Sequence, residues 1–335
     1  MQILRDVDED VWWDVARECP HATFFHTPLW ADIATASTHA ETDRTVGAEL
    51  SNGTTVVLPL VQPSPSGDRA LRRLHSTFVG CYGGLIADGP VTDEVADLFR
   101  ELVTWQTGEL SLVENPLADD PVGLDVLHSD EVLLERDFTQ ILELDAPYEV
   151  LYDNFSKDRR YGCRKADDAG VVVREATKKQ EFWAYYGAYR ESIQRWDDVS
   201  IEYDWSLFER IYDLTQEYPE NVKLWVTDID GDIGSGALMF YWNDHVVNWH
   251  AASYADYFEY YINDVIHSTI IEDAVDRGFQ YYDFNPSGGN EGVVKFKSEF
   301  GPEKWPLRRW SYESRPFRAA KGVFESFQSH RDDLF

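Results

Sequence analysis

The sequence has little lysine, little methionine and few cysteines. Its 335 residues include two Met, three Cys and nine Lys against 21 Arg, and the first lysine is Lys157. Cys19, Cys81 and Cys163 are odd in number and widely spaced, and they contain no C-x-x-C pair. This pattern favours neither a disulfide framework nor a zinc site. We therefore expect three small core residues and no bound metal.

Long apolar runs are also lacking. No apolar run approaches the roughly 18 residues that a bilayer-spanning helix needs. The first residues, MQILRDVDEDVWW, are acidic where a signal peptide carries a basic region. We expect a cytoplasmic protein without a membrane span.

Positive charge is scarce relative to negative charge. The chain has 61 acidic and 30 basic residues, a net charge of -31, yet 43 % of its residues are hydrophobic and 14 % aromatic. It can therefore bury a core, but self-repulsion opposes a compact state unless salt screens it. We interpret the composition as that of a halophilic, salt-accumulating organism, most simply an archaeon; an ordinary acidic protein is the alternative.

The length suits two domains rather than one. Hairpin signals and amphipathic helices occur in both halves, which predicts an α+β fold of mixed, mostly antiparallel sheets with flanking helices. We place the domains at 1–144 and 145–315, followed by a helical tail at 316–335.

Local patterns predict the elements of both halves. In the first half these are helices at 9–19 and 29–36, strands at 45–50 and 54–61 joined by an Asn-Gly turn, a loop at 63–68 and a helix capped by Thr92. In the second half they are a helix at 145–168, a strand at 171–176, helices at 178–195 and 204–217, an antiparallel meander at 222–229, 235–242 and 245–252, a helix at 258–278 and a strand at 279–285.

Several short phrases resemble the FemAB family and its relatives with a BioF2-like acetyltransferase domain. In the first half they are FHTPLW at 25–30, Leu58-Pro59-Leu60 and Tyr82-Gly83-Gly84. In the second half they are SKDRRYGCRKADDAGVVV at 156–173, Asp276-Arg277-Gly278, Tyr282-Asp283-Phe284 and FKSEFG at 296–301. The resemblance covers about 24–312 and keeps the order of the pieces.

The resemblance implies two tandem domains of the Gcn5-related N-acetyltransferase (GNAT) type, with a substrate channel between them. It also implies transfer of an acyl or aminoacyl group to an amine, and it places Lys297, in the Phe-Lys pair, at the reaction centre. Members of the family proper use aminoacyl-tRNA and extend the peptide bridge of peptidoglycan precursors. Two features depart from the pattern: Asn285 stands where a glycine commonly follows the Phe, and the helices at 178–217 are too short for the coiled-coil arm of some members.

Amide formation requires a neutral amine, stabilisation of an oxyanion and a route for the proton. Lys297 is the predicted cation, and Lys295 would share its face if this stretch is extended; two solvated lysines are the alternative. Asp283 could accept the amine proton or only hold a structural hydrogen bond. His250 is a competing base, although a lone strand histidine is more often simply packed.

A basic helix face is the predicted anion site for the donor. The predicted donor-binding residues are Lys157, Arg160, Arg164, Lys165 and Lys295. Lys157, Arg160 and Arg164 fall within about 60° of one another on a helix, and their face would suit the phosphates of tRNA or of coenzyme A. A salt-bridged face with Asp153 and Asp168 is the alternative.

The connection SYADYFEY lacks the glycines of an acetyl-coenzyme A loop, which favours an aminoacyl-tRNA donor slightly over acyl-coenzyme A. An acyl-coenzyme A-dependent N-acyltransferase acting on an amino sugar or metabolite, and an inactive binding protein, remain open. We expect no tightly bound cofactor, a small-molecule or lipid-linked amine as acceptor, tRNA as a candidate partner, and no DNA. The predicted substrate-cleft residues are Trp30, Tyr82, Trp249, His250 and Tyr254.

Overall fold

The computed structural model describes residues 1–36, 42–63, 72–76, 81–103, 107–127, 130–195, 203–319 and 321. Helices and mostly antiparallel sheets alternate along the chain, which confirms the expected α+β class. None of the helices in these residues combines the length and the hydrophobicity that a membrane crossing requires.

The chain forms two compact units. The first contains Met1–Thr35, His39–Asp137 and Leu307–Phe335, and the second contains Phe138–Pro306 with the short piece Ala36–Thr38. The second unit is therefore an insertion in the sequence of the first. The domain limits 1–144, 145–315 and 316–335 stay a prediction.

The first unit contains two sheets. Its elements are β1 (Gln2–Leu4), α1 (Glu9–Glu18), a 3-10 turn (Phe24–His26), α2 (Pro28–Ala36), β2 (Thr42–Asp43), β3 (Val46–Glu49), β4 (Thr55–Leu58), β5 (Val61–Gln62), β6 (Arg72–His75), β7 (Ile86–Ala87), α3 (Val95–Leu102) and β8 (Thr107–Val113), with parts of β9 (Val132–Glu143) and β15 (Glu303–Glu313). One sheet has the order β1-β3-β4-β7, and β15 pairs with β8 in the other. The predicted Asn-Gly hairpin is confirmed between β3 and β4, with Gly53 at φ +86°.

The second unit is built on one sheet. Its elements are α4 (Tyr148–Asn154), α5 (Lys157–Asp168), β10 (Val172–Glu175), α6 (Lys179–Gln194), α7 (Trp205–Glu217), β11 (Val222–Ile229), β12 (Asp232–Trp242), β13 (His245–Ser253), a 3-10 helix (Ala255–Tyr260), α8 (Ile262–Asp276), β14 (Tyr281–Asp283) and α9 (Glu291–Ser298). The sheet order is β10-β11-β12-β13-β14-β9. The predicted meander is confirmed as β11-β12-β13, and β14 then pairs with β13 in parallel.

Two helix starts differ from the sequence-based predictions. The helix expected at 145–168 is divided into α4 and α5 at Phe155 and Ser156, which are both extended. Phe155 packs on Phe300 with ring centroids 5.1 Å apart, and the Ser156 hydroxyl accepts the Arg159 N–H at 3.2 Å as an N-cap. Helix α3 begins at Val95 behind Glu94 rather than behind Thr92.

The predicted loop at 63–68 falls outside the described residues except for Pro63.

Candidate functional site

The sheet of the second unit opens between β13 and β14. The two strands pair only from His245 and Tyr281 to Val247 and Asp283, whereas β13 continues to Ser253. A pocket of about 430 Å³ lies in this opening, a volume typical of small-molecule sites. Its lining includes Ser192, Arg195, Asn248, Trp249, His250, Asn263, His267, Asn285 and Lys297. All of these residues belong to the second unit.

Asn285 turns the chain away from β14. Its φ of +61° is left-handed, a conformation that asparagine tolerates better than most residues other than glycine. Its backbone N–H donates to Asp283 Oδ1 at 2.7 Å, and its side-chain Nδ2 lies 3.5 Å from the Trp249 carbonyl oxygen across the opening. A glycine, which the family pattern commonly has at this position, would adopt this positive φ without strain.

Lys297 lies in the pocket lining, and Lys295 does not. The stretch is helical rather than extended, because the Asn290 side chain accepts the Val293 N–H at 3.1 Å and caps α9. Two residues apart on a helix correspond to a rotation of about 200°. Lys295 is exposed. The two lysines were expected to share a face only if the stretch were extended, and the helix does not meet that condition.

Burial shifts the protonation equilibrium of Lys297. Its Nζ donates to the Asn285 carbonyl oxygen at 2.7 Å and lies 3.5 Å from the Pro286 carbonyl oxygen. Desolvation lowers the pKa of Lys297 to about 8, although the charge of Asp283 acts in the opposite direction. Near neutral pH the group therefore remains mostly protonated, but a modest rise in pH removes its charge.

Asp283 is enclosed rather than open to the pocket. It is fully buried and accepts hydrogen bonds from Thr139 Oγ1 at 2.6 Å and from the Asn285 N–H at 2.7 Å. Its Oδ2 is 3.3 Å from His245 Nε2. These contacts join β9, β13 and the end of β14, so they favour the structural alternative for Asp283.

His250 is held by Tyr185. The Tyr185 hydroxyl contacts His250 Nδ1 and also lies 3.1 Å from the His250 carbonyl oxygen. Because the carbonyl can only accept, the phenol hydrogen is assigned to it, and Nδ1–H then donates to the phenol oxygen. Burial lowers the pKa of His250 to about 4. The imidazole is thus neutral at physiological pH, with its lone pair on Nε2.

Two further cationic or titratable groups line the pocket without having been predicted. Arg195 at the end of α6 donates to the Ser253 carbonyl oxygen at 2.7 Å and pairs with Glu191 at 2.6 Å. His267 on α8 contacts the Tyr282 hydroxyl at 2.7 Å, and burial lowers the pKa of His267 to about 3. No local motif marks these residues, because partners distant in sequence bring them to the pocket.

The predicted basic face lies on α5, as expected, but its residues do not line the pocket. Arg160 donates to the Phe155 carbonyl oxygen at 2.7 Å and also to the Asp153 carbonyl oxygen. Lys165 pairs with Asp168 at 3.1 Å, whereas Lys157 and Arg164 are exposed. Donor binding by this face stays a prediction.

Arg159, on the same helix, has a structural position that the sequence did not reveal. It pairs with buried Asp264 and, at 3.0 Å, with Glu299, and its guanidinium lies 4.8 Å from the centre of the Phe296 ring. Burial raises the pKa of Asp264 to about 6, although the Arg159 charge opposes this. The ion pairs connect α5 to α8 and to the end of α9.

Three of the five predicted cleft residues lie away from the pocket lining. Trp30 and Tyr82 are buried in the first unit, where both pack on Phe25, at 4.8 and 5.2 Å between ring centroids. Tyr254 donates to the Ala184 carbonyl oxygen at 2.9 Å. These aromatic side chains have packing partners, and only Trp249 and His250 of the set line the pocket.

Comparison with known proteins identifies the domain that holds this pocket. Residues 153–298 match the family described as an acetyltransferase (GNAT) domain, which spans α5 to α9. A search of curated proteins gave no match. This part of the chain is similar to GNAT domains, and the expectation of an acyltransferase is confirmed.

Solved structures show the same fold over nearly the whole chain. FemX is 14 % identical with a TM-score of 0.69, over 94 % of this chain and 98 % of that one. The C-terminal domain of a putative lysylphosphatidylglycerol synthetase from Agrobacterium fabrum is 9 % identical with a TM-score of 0.60, over 93 % and 94 %. L-PGS from Bacillus licheniformis is 9 % identical with a TM-score of 0.59, over 99 % and 98 %. The predicted likeness to FemAB proteins is thus confirmed for the fold.

Proposed function

We propose that the protein transfers an aminoacyl group from aminoacyl-tRNA to an amine, forming an amide bond in the pocket between β13 and β14. The observation that carries this proposal is that one pocket is lined by both a cation and a hydrogen-bond acceptor. Lys297 supplies an ammonium whose pKa burial lowers to about 8, and neutral His250 supplies the Nε2 lone pair.

These two groups suit the two needs of acyl transfer. As the amine attacks the ester carbonyl, the C–N bond forms, and the ammonium of Lys297 stabilises the developing oxyanion. The Nε2 lone pair of His250 accepts an N–H of the amine and orients it; with a pKa near 4, His250 is an acceptor rather than a strong base. When the C–O bond breaks, the released tRNA hydroxyl takes up the proton that the amine loses.

The connection between β13 and α8 favours tRNA over acyl-coenzyme A as donor. It forms a 3-10 helix at Ala255–Tyr260 and then Tyr261, whose φ is +54°. A pyrophosphate site uses exposed, consecutive backbone N–H groups, for which glycine is best suited. Here Tyr257 and Tyr260 instead pack against a hydrophobic cluster. The acetyltransferase description of the matched family supports the alternative, an acyl-coenzyme A-dependent N-acyltransferase on an amino sugar or metabolite.

The acceptor in this proposal is a small-molecule or lipid-linked amine. The name of one structural neighbour joins lysine to a phospholipid, which supports the lipid-linked choice. We also propose that the exposed Lys157, Arg164 and Lys165 contact donor phosphates, since they form a cationic face on a chain of net charge -31. The same acidic composition supports function in a salt-rich cytoplasm, because salt screens the repulsion between the negative charges.

Label transfer tests the proposal directly. The purified protein is incubated with tRNA charged with labelled amino acids, or with labelled acetyl-coenzyme A, together with small amines or a lipid extract. We expect a labelled amide from charged tRNA, and about 100-fold lower turnover in Lys297→Ala with an unchanged melting temperature. Transfer of label from acetyl-coenzyme A but not from charged tRNA would contradict the choice of donor.

A further inference from the structure

A connected group of aromatic rings, one exposed and three half-buried, lies on α6 and around the start of α7. We call Trp183, Tyr186, Tyr203 and Trp205 the aromatic strip. Trp183 is 57 % exposed, and its ring centroid is 4.7 Å from that of Trp205. Tyr186 lies 5.7 Å from Trp183 and 5.6 Å from Trp205.

Further rings connect the strip to the pocket. Tyr186 contacts Tyr189 at 6.0 Å, and Tyr189 contacts Tyr203 at 6.1 Å between centroids. Tyr203 then lies 5.4 Å from Trp249, which lines the pocket beside His250. The series of rings therefore begins at an exposed tryptophan and ends at the candidate reaction site.

Core packing does not explain the exposed part of this series. The side of α6 that faces the sheet is occupied by Phe182, Tyr185 and Tyr189, which are all buried. A single exposed aromatic residue needs no explanation by itself. Trp183 differs because half-buried rings connect it to the pocket, so its exposed face continues into a site.

A cation lies beside the exposed ring of Trp183. At about 100° per residue, Trp183, Tyr186 and Arg190 fall within about 60° of one another on α6. Arg190 is exposed, and no carboxylate among the described residues forms an ion pair with it. The strip thus combines stacking surfaces with a positive charge.

We propose that the aromatic strip binds the unpaired 3′ end of the tRNA donor by stacking its bases, with Arg190 beside a phosphate. This inference rests on the proposed function. Phosphate contacts weaken steeply as salt rises, whereas stacking on aromatic side chains suits any base and depends less on charge. An acidic protein that functions at high salt would therefore depend on stacking to place the aminoacylated 3′ end in the pocket.

The kinetic test compares a long and a short donor. Trp183→Ala is assayed with intact aminoacyl-tRNA and with the same amino acid esterified to adenosine alone. We expect KM for the tRNA to rise about 10-fold, the size of one lost stacking contact, with kcat nearly unchanged. KM for the adenosine ester should stay the same, because it reaches only the pocket, and Trp183→Phe should restore most of the tRNA affinity.

Trp13→Ala is the matched control, because Trp13 is a half-buried tryptophan of the first unit with Arg17 at 5.2 Å from its ring centre. It should leave both KM values unchanged. Equal KM values for wild type and Trp183→Ala with intact tRNA would overturn the proposal, as would an equal rise with the adenosine ester.

A binding test separates this inference from the proposed function. Fluorescence anisotropy in molar potassium chloride compares two RNA hairpins that carry no amino acid. One ends in an unpaired CCA, and the other lacks those three nucleotides. We expect the CCA hairpin to bind more tightly, and its Kd to rise about 10-fold in Trp183→Ala. Equal binding of both hairpins, or displacement of the RNA by coenzyme A with no effect of Trp183→Ala, would reject the strip as the RNA site even if transfer occurs. Loss of CCA binding in the variant would support it even if no transfer is detected.

Discussion

The Lys297 ammonium donates a 2.7 Å hydrogen bond to the backbone carbonyl oxygen of Asn285. Asn285 also has the left-handed backbone that turns the chain two residues after the end of β14. The lysine that faces the pocket is therefore positioned by the same turn that opens the sheet. A change in the turn should alter the site, and a change in the lysine should leave the turn intact.

The pH dependence of turnover should report the charge of Lys297. Since burial lowers its pKa to about 8, the protonated form that stabilises an oxyanion is lost as pH rises through 8. We expect kcat at saturating substrate to fall there, and the fall to move to higher pH in Lys297→Arg, because arginine keeps its charge. A kcat that rises through pH 8 in the wild type and loses this rise in Lys297→Arg would instead identify Lys297 as a base.

The turn at Asn285 should tolerate glycine better than alanine. A left-handed conformation costs an alanine about 1 kcal/mol, whereas glycine adopts it freely. Asn285→Ala should lower the free energy of unfolding by at least this amount, and Asn285→Gly by much less, in urea unfolding. Equal stability of the two variants would show that the positive φ does not limit this position.

The Tyr185 hydroxyl should matter for turnover through His250. Tyr185→Phe removes the group that fixes the imidazole hydrogen on Nδ1, so both tautomers become populated. We expect kcat to fall about 10-fold with little change in KM, and nitrogen NMR of the imidazole to show a mixture of tautomers.

Tyr189→Phe is the control for this variant, because Tyr189 also packs on His250, at 4.9 Å, but its hydroxyl accepts the Tyr203 N–H. It should leave the NMR signals unchanged. A kcat that responds equally to both variants would argue for packing rather than for the hydrogen bond.

Removing Arg159 should destabilise the second unit. Asp264 is buried and would lose its cation, so Arg159→Ala should cost about 3 kcal/mol of unfolding free energy. The pKa of Asp264 is already raised to about 6, and without Arg159 the carboxyl takes up a proton still more readily. The loss should therefore shrink as pH falls towards about 6, where Asp264 of the wild type also takes up a proton, and should change little at lower pH. Arg164→Ala on the exposed side of the same helix should change stability by less than about 0.5 kcal/mol.

Low salt should unfold the protein if its acidic surface is an adaptation. A net charge of -31 is screened within about 3 Å in molar salt but over about 10 Å at 0.1 M. We expect the near-UV circular dichroism to be lost when potassium chloride is lowered from about 1 M to 0.1 M, and to return when salt is restored. A spectrum that is independent of salt would support the ordinary acidic protein.

Elements with local signals could be predicted, whereas positions set by distant contacts could not. The meander follows from short turns that tolerate positive φ, at Asp230, Gly231 and Asn243. The break before α5 depends on Phe155 meeting Phe300, which no local pattern encodes.

The candidate site shows the same division. Lys297 and His250 were found because a motif or a residue type marked them. Tyr185 reaches His250 from 65 residues away, so its role is visible only in the folded chain. Trp30 and Tyr82 were predicted to line a cleft because of their phrases; in the folded chain both are buried and pack on Phe25, a contact that the phrases do not encode.

The pairing of β15 with β8 has a consequence for synthesis on the ribosome. Domains generally fold as units while the chain emerges from its N-terminus. The first unit needs residues from Leu307 onward to complete its sheet, whereas Phe138–Pro306 is contiguous. The second unit, although it is synthesised later, can therefore reach its native state first. The N-terminal part of the first unit stays incompletely folded, and accessible to chaperones, until β15 leaves the ribosome.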